Sequence, residues 1–181
     1  MAKKELKLHL GCGNKIHKEY INIDIQYNPY LDSQEDIRIL RKYADNSVDK
    51  IYACHVLEHI SRWEYLNVLK RWYTILKEGG RLRIAVPNFD ACVAMYQKTK
   101  NLPLIIDLLY GGQDYPNNHH FYIWTFDTMK KDLESVGFKN IALYDWRKDD
   151  FWNIDDYSKS YIPHMDQKNG TLMSLNIEAF K

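Results

Sequence analysis

The sequence has few cysteines and lacks a long apolar run. Its three cysteines, Cys12, Cys54 and Cys92, are odd in number and widely spaced, so they match neither a disulfide framework nor a CxxC metal pair. No apolar stretch approaches the roughly 20 residues that a membrane-spanning helix needs. We therefore expect an unprocessed protein of a reducing cytoplasm with no segment in the membrane.

A strong net charge is also missing. The 25 basic and 24 acidic side chains leave a formal charge of +1, so no overall field draws the chain toward anionic polymers or lipid headgroups. We expect neither a nucleic acid polymer nor a membrane as a partner. A charged partner would have to be recognised locally, by a few side chains.

The sequence does contain alternating strand and helix patterns, without internal repeats or linkers. With 45% hydrophobic residues, it can bury the core of one domain over residues 1–181. Patterns predict strands at 6–10, 20–25, 36–40, 48–56 and 81–88, a helix from Ser61 to the Gly79–Gly80 pair, and a helix from the Thr125 cap to Gly137. This alternation predicts an α/β fold with a doubly wound sheet, whose ligands bind beyond the carboxyl ends of the strands. Residues 147–169 are polar and aromatic, and we expect a loop or lid there.

The stretch HLGCGNKIHKEYINID places two glycines directly after the first predicted strand. Gly11 and Gly13 lack a Cβ atom, so the backbone there can approach a ligand closely. Asp24 ends the neighbouring strand, where a carboxylate can accept hydrogen bonds from both hydroxyls of a ribose. A tight turn and a loop cap would explain the same three residues equally well.

The short distance between the glycines and the acid discriminates between nucleotide cofactors. Dinucleotide sites use a third glycine, a helix N-terminus for the pyrophosphate, and an acid about 20 residues further on. Here Lys15 occupies the third glycine position, and only ten residues, 14–23, precede Asp24. NAD and FAD are therefore disfavoured, whereas S-adenosylmethionine has an adenosine without phosphates and does not need that helix.

Five segments in order resemble a known family: LHLGCGN, INID, SVDKIYACHVLEHI, LKEGGRLRIAVPN and SVGF. Together they look like a class I S-adenosylmethionine-dependent methyltransferase over nearly the whole chain. The chain is similar in particular to compact methyltransferases of surface-polysaccharide and small-molecule modification pathways. The resemblance implies a mostly parallel, seven-stranded Rossmann-like sheet with a shortened first crossover.

The same resemblance implies the cofactor contacts. Gly11, Cys12 and Gly13 would line the methionine part of S-adenosylmethionine, and Asp24 would bind the ribose. Asp36 falls where the family often has an acid near the adenine. His55 would lie beside the methionine end and the transferred methyl group, at the end of the fourth strand.

The chain departs from the family pattern at His9, where many members have an acid that binds the cofactor's ammonium group. This departure leaves open a catalytically inactive, cofactor-binding regulatory subunit. Activity toward any acceptor would exclude that alternative.

The segment HVLEH matches HxxEH, a signature of zinc metallopeptidases, and supplies a second alternative. On one helix, His55 and His59 would share a metal ion, with Glu58 as the base. However, His55 ends a strand pattern, and the sequence shows no obvious third ligand, although Glu64, His119 and His120 stay open. We therefore predict no metal ligands and interpret Glu58 and His59 as residues that orient the next helix.

Two adjacent histidines lie in the glycine-containing loop before the Thr125 helix. A hydroxyl acceptor benefits from a base, and histidine suits that role near neutral pH. His120 and His119 are therefore the leading base candidates, with His55 as the alternative.

The small size and the resemblance predict a small-molecule acceptor, which can be phosphorylated or nucleotide-linked. The candidates are a sugar, a nucleotide-linked group, and a phosphonate or phosphoramidate oxygen. We expect O-methylation, and the sequence leaves open N-methylation and a homodimer.

Overall fold

The computed structural model describes residues 4–181, so residues 1–3 of the predicted domain lie outside the described part. In this part of the chain the strands are β1 (Lys7–Leu10), β2 (Ile21–Asp24), β3 (Ser33–Gln34), β4 (Val48–Cys54), β5 (Leu76–Pro87), β6 (Lys139–Leu143), β7 (Tyr161–Ile162), β8 (Thr171–Leu172) and β9 (Ser174–Phe180). The α-helices are α1 (Tyr65–Ile75), α2 (Phe89–Thr99), α3 (Ile106–Tyr110) and α4 (Phe126–Val136). Short 3₁₀ turns lie at Leu57–His59, Leu102–Leu104, Trp146–Lys148 and Tyr157–Lys159.

Within residues 4–181, seven strands form one sheet in the order β3-β2-β1-β4-β5-β9-β6. Strands β1 to β5 are parallel to one another, and β9 is antiparallel to both β5 and β6. The chain starts the sheet at β1, moves outward through β2 and β3, and then returns to place β4 on the other side of β1. This reversal opens a crevice beyond the carboxyl ends of β1 and β4. The predicted α/β class and mostly parallel seven-stranded sheet are confirmed.

The first crossover, between β1 and β2, contains turns and no helix, as expected from its length. One face of the sheet is covered by helices. The residues of α1 that pack into the core recur at helical spacing: Tyr65, Val68, Leu69, Trp72 and Ile75. Met129 and Leu133 of α4 join the same core, and the Thr125 side chain caps α4 as predicted.

The other face of the sheet is covered by irregular chain from the predicted loop or lid. Phe151 is 1% exposed and stacks on Tyr52 of β4, with ring centroids 3.7 Å apart. Polar links hold the same segment to the sheet: Arg83 pairs with Asp149, and the hydroxyls of Tyr20 and Tyr52 donate to Asp150 and Asp156. The first half of the 147–169 segment is therefore anchored by a buried ring and by buried or half-buried polar contacts.

Three local predictions are wrong. Residues 36–40 form a turn, because the Asp36 carbonyl accepts from the amides of Ile39 and Leu40; the third strand is Ser33–Gln34 instead. Helix α1 ends at Ile75, before the Gly79–Gly80 pair, which lies inside β5. Ser61 makes no side-chain cap to α1, whose N-cap is Glu64. None of the described helices is long and apolar enough to cross a bilayer.

Candidate active site

A cleft of about 1240 Å³ opens beyond the carboxyl ends of β1, β2 and β4. All of the predicted site residues except His119 line it: Gly11, Cys12, Gly13, Asp24, Asp36, His55 and His120. We call the part around Gly11, Gly13 and Asp24 the glycine end. The part around Glu58, His59 and His120 is the histidine end.

At the glycine end, the two glycines serve different purposes. Both have a positive φ, +63° for Gly11 and +52° for Gly13. A Cβ atom on Gly11 would lie 2.2 Å from Cγ2 of Val56, so this glycine allows the loop after β1 to pack against the residue that follows His55. A Cβ atom on Gly13 would meet nothing within 4 Å, which leaves open space beside its backbone for a ligand.

Asp24 is held in one orientation by backbone amides. Gly13 N donates to Oδ2 and Gln26 N donates to Oδ1, each at 2.8 Å. A carboxylate oxygen has a second lone pair, so both oxygens can still accept from a ligand. The fixed carboxylate beside an open backbone fits the ribose of an adenosine. The loop after β1 presents no helix N-terminus, which fits a cofactor without phosphates.

Cys12 lies between the two glycines and is buried. Burial, with a smaller contribution from the nearby Asp24 carboxylate, raises the pKa of the Cys12 thiol to about 12. The thiol is therefore protonated at neutral pH and contributes packing rather than a nucleophile.

His9 also serves packing, although it lines the cleft. The imidazole is 2% exposed, its Nδ1 lies 3.2 Å from Asn22 Oδ1, and its ring contacts Phe151 edge-on at 4.7 Å. Burial lowers the pKa of His9 to about 4, so the ring is neutral at physiological pH. Position 9 therefore offers no charge to an ammonium group.

Asp36 is engaged by a neighbour. Arg38 donates to both carboxylate oxygens through Nε and Nη2, at 2.7 to 3.0 Å. These hydrogen bonds lower the pKa of the Asp36 carboxyl. Asp36 thus presents an ion pair to the cleft, with Arg38 beside it.

The histidine end begins where β4 ends. His55 has a φ of +50°, and its ring lies between two partners: Nε2 is 3.0 Å from Ser174 Oγ, and Nδ1 is 3.2 Å from Glu58 Oε1. Each nitrogen of His55 therefore has a polar atom within 3.2 Å. Glu58 is fully buried behind the cleft. Burial tends to raise the pKa of the Glu58 carboxyl, but the imidazoles of His55, His59 and His120 together lower it below its usual value.

The loop before α4 brings the histidine pair to this place. Phe121 N donates to the Glu58 carbonyl at 2.8 Å, which joins the loop to the 3₁₀ turn Leu57–His59. His120 Nδ1 lies 3.0 Å from the Leu108 carbonyl, and burial lowers the pKa of this imidazole. His119 does not line the cleft; its Nδ1 lies 3.2 Å from the Pro116 carbonyl.

The structure brings together three residues that the sequence analysis did not place side by side. A carboxylate oxygen of Glu58 and a ring nitrogen of each of His59 and His120 all lie within 4.8 Å of one another. The sequence contains all three residues in segments already noted, HVLEH and the histidine pair before α4. The sequence alone did not show that a loop far along the chain returns to the turn after β4.

Comparison with known families settles the class. Residues 10–143, which include both ends of the cleft, match the model of the methyltransferase domain family. The chain belongs to this family. It is an S-adenosylmethionine-dependent methyltransferase, so the predicted class, enzymatic activity and cofactor are confirmed. The metallopeptidase and inactive-subunit alternatives find no support.

Solved methyltransferase structures share the fold at low sequence identity. A methyltransferase from Methanosarcina mazei is 16% identical, with a TM-score of 0.61 over 99% of this chain and 93% of the other. One from Archaeoglobus fulgidus is also 16% identical, with a TM-score of 0.60 over 98% of this chain and 86% of the other. A Haemonchus contortus phosphoethanolamine N-methyltransferase, bound to phosphomonomethylethanolamine and S-adenosylhomocysteine, is 16% identical, with a TM-score of 0.50 over 80% of this chain and 35% of that longer chain. Among curated proteins the sequence has no match.

Proposed function

We propose that this methyltransferase transfers the methyl group to an oxygen atom of a small polar acceptor, and that a sugar hydroxyl is the acceptor. The observation that carries the proposal is the imidazole of His120 at the rim of the cleft. Its Nδ1 is held by the Leu108 carbonyl, and no hydrogen bond among the described residues uses its Nε2. An uncharged imidazole with a free nitrogen is suited to act on a hydroxyl proton.

The character of the cleft supports a hydroxyl acceptor over a phosphorylated one. The cleft is also lined by carboxylates, amides and aromatic rings, including Asp107, Asn117 and Tyr115. Such groups donate to and accept from hydroxyls. Among residues 4–181, two cationic side chains line the cleft, and each is paired with a carboxylate: Arg38 with Asp36, and Lys15 with Asp155 at 3.8 Å. Arg81 and Arg83 form ion pairs with carboxylates, and neither of them lines the cleft.

The sulfonium of the bound cofactor supplies an activated methyl group. The protein's task is to orient the acceptor and exclude water, and orientation alone can contribute about 7 to 11 kcal/mol. Asp24 holds the ribose and the glycines line the methionine part of the cofactor, while His120 acts on the acceptor hydroxyl. His55 lies between Ser174 and Glu58, with each ring nitrogen within 3.2 Å of one of them, so we assign it a positioning role.

We further infer a cytoplasmic enzyme of surface-glycan or small-molecule biosynthesis. The three cysteines are free and buried, which fits a reducing compartment. Tyr157 and Ser160 of the 147–169 segment line the cleft, and we propose that this segment forms its wall beside the acceptor.

The test offers the purified full-length chain methyl-labelled S-adenosylmethionine and a matched set of acceptors. The set contains free and nucleotide-linked sugars, sugar phosphates, phosphonates and phosphoramidates, and amines such as phosphoethanolamine. We expect label in an O-methyl group of a sugar, read from the chemical shift of the methyl carbon. Transfer to a phosphorus oxyanion would correct the acceptor, and transfer to nitrogen would refute O-methylation.

Variants then test the role of His120. His120→Ala should lower the turnover number about 10²- to 10⁴-fold while S-adenosylhomocysteine binds as before. His164→Ala, an exposed histidine outside the cleft, is the matched control and should change neither quantity. Equal rates in the two variants would remove His120 from the proposed role.

A further inference from the structure

A buried carboxylate and two imidazoles converge at the histidine end. Glu58 is 0% exposed, and neither of its side-chain oxygens accepts a hydrogen bond with good geometry from the described residues. His55 Nδ1 lies 3.2 Å from Oε1 without forming such a bond. A buried carboxylate usually has several donors, since an uncompensated one is costly. The carboxylate of Glu58 is thus incompletely satisfied by the protein.

The two imidazoles beside Glu58 are held in the same tautomer, each by a backbone carbonyl. His59 Nδ1 lies 3.1 Å from the His119 carbonyl, and His120 Nδ1 lies 3.0 Å from the Leu108 carbonyl. A carbonyl oxygen can only accept, so each Nδ1 carries the proton. In the neutral rings both Nε2 atoms then have free lone pairs. Metal-binding histidines commonly make this contact to a backbone carbonyl, because it orients the ring.

The Glu58 carboxylate also has no lysine or arginine partner among the described residues. Within residues 4–181, no lysine or arginine lies within 4.0 Å of its carboxylate. His59 and His120 line the cleft, while Glu58 lies behind them. A cation held by the three side chains would therefore compensate the buried charge and still face the cleft.

We propose that Glu58, His59 and His120 bind one divalent first-row transition metal ion. Their ligand atoms lie within 4.8 Å of one another. Two ligands on opposite sides of one ion, at bond lengths of about 2.0 to 2.2 Å, lie at most about 4.4 Å apart, so small side-chain rotations complete the set. Two imidazoles and one carboxylate suit Zn²⁺, Fe²⁺, Co²⁺ or Mn²⁺ better than Ca²⁺ or Mg²⁺, which prefer oxygen ligands.

This ligand set differs from that of an HxxEH peptidase. His55 is not a ligand, because its strand-end conformation turns the ring between Ser174 and Glu58. Glu58 serves as a ligand instead of a base, and His120 replaces His55. Through its contact with Oε1, His55 is a positioning residue for the Glu58 carboxylate.

The role of the ion rests on the proposed O-methylation. With three protein ligands, the ion keeps positions open toward the cleft, where it binds the acceptor's hydroxyl oxygen and makes that hydroxyl more acidic. The hydroxyl proton passes to water in the open cleft. The acceptor oxygen forms the new bond to the methyl carbon, and the electron pair of the breaking carbon–sulfur bond stays on sulfur, which leaves as S-adenosylhomocysteine. In the metal-bound protein the Nε2 lone pair of His120 is used by the ion, and the ion replaces the imidazole as the group that acts directly on the acceptor hydroxyl.

The first experiment titrates Co²⁺ into the purified full-length chain after metal removal by chelation. We expect one equivalent of Co²⁺ with visible absorption bands of nitrogen and oxygen ligation. His59→Ala, His120→Ala and Glu58→Gln should each weaken Co²⁺ binding at least about tenfold. His164→Ala is the matched control and should bind Co²⁺ like the unaltered chain. Binding of S-adenosylhomocysteine by each variant reports that it has folded.

Three results would overturn the proposal: no saturable Co²⁺ binding, undiminished binding in all three variants, or thiolate charge-transfer bands, which would assign the ion to a cysteine. If Glu58→Gln fails to fold, the two histidine variants decide. Methyl-transfer assays separate this proposal from the proposed function. Oxygen methylation that survives chelation supports the function with His120 as the base and refutes the proposed role of the ion in the reaction. One equivalent of Co²⁺ without transfer to any oxygen acceptor supports the metal site and refutes the function.

Discussion

The two ends of the cleft are built in different ways. The glycine end lies within one short stretch, from the end of β1 to the end of β2, and its contacts are made mainly by backbone atoms, such as the Gly13 amide on Asp24. The histidine end joins a turn after β4 to a loop before α4, and its chemistry lies in side chains. A site formed by local backbone geometry can be recognised from a motif, whereas a site formed by distant side chains requires the fold.

This contrast has a limit, because the glycine end also rests on a distant segment. Phe151 lies in a group of rings that packs beneath the glycine end. Its ring centroid is 3.7 Å from that of Tyr52, which stacks on it, and 4.6 to 4.8 Å from those of His9, His17 and Tyr20. The backbone of the glycine end is therefore local, and its support is tertiary. Four experiments separate the two contributions.

The largest effect is expected for Phe151→Ala, which tests the tertiary support. Removing a buried aromatic ring should lower the free energy of unfolding by about 3 to 5 kcal/mol. Trp152→Ala is the matched control, because Trp152 is 61% exposed, and it should cost less than about 0.5 kcal/mol. Urea unfolding measures both. Similar losses would show that the ring group does not support the fold.

The next effect compares the two glycines. Gly11→Ala combines the cost of a left-handed residue, about 1 to 2 kcal/mol, with a clash against Val56 of about 1 to 3 kcal/mol. Gly13→Ala should incur only the conformational part, since its Cβ meets open space. Urea unfolding of the two variants gives the difference directly. An equal loss would mean that Val56 moves aside freely.

A pH series tests the neutral, buried His9. The unfolded chain binds a proton near pH 6.5, but the native chain binds it only near a pKa of about 4. The free energy of unfolding should therefore fall as the pH falls from 6.5 toward 4, by up to roughly 3 kcal/mol from this group. His9→Leu should remove that part of the decline, while the carboxylates common to both proteins titrate alike. Parallel curves for the two proteins would contradict the prediction.

The smallest effect, and the most specific, is expected for Asp24→Ala. The loss of a charged acceptor for the ribose should weaken binding of S-adenosylhomocysteine by about 1.5 to 3 kcal/mol, or about 10- to 150-fold. Asp90→Ala is the matched control, because Asp90 is exposed and does not line the cleft. Calorimetric titration measures both affinities. Unchanged binding by the Asp24 variant would remove Asp24 from the cofactor site.

Sequence patterns predicted most of the sheet. Strands β1, β2 and β4 fall within the predicted ranges because their apolar runs are short and bounded by turns. The pattern at 36–40 predicts a strand, but the structure has a turn there. Ile37 and Leu40 are apolar because they point from this turn into the core. The Gly79–Gly80 pair predicts the end of a helix, but in the structure β5 begins before the pair and continues through it. At the glycine pair, pairing of β5 with β4 outweighed local preference, whereas at 36–40 local hydrogen bonds to the Asp36 carbonyl formed a turn.

By itself, the sequence determined the class of the protein and its cofactor, through five segments that resemble one family in order. It also determined the glycine end, because those residues lie close together in the chain and their backbone geometry follows from residue type. Only the tertiary structure decided that His9 is neutral, that Phe151 supports the glycine end, and that Glu58, His59 and His120 meet. Burial and the meeting of distant side chains depend on which segments pack together, and that is a property of the whole fold.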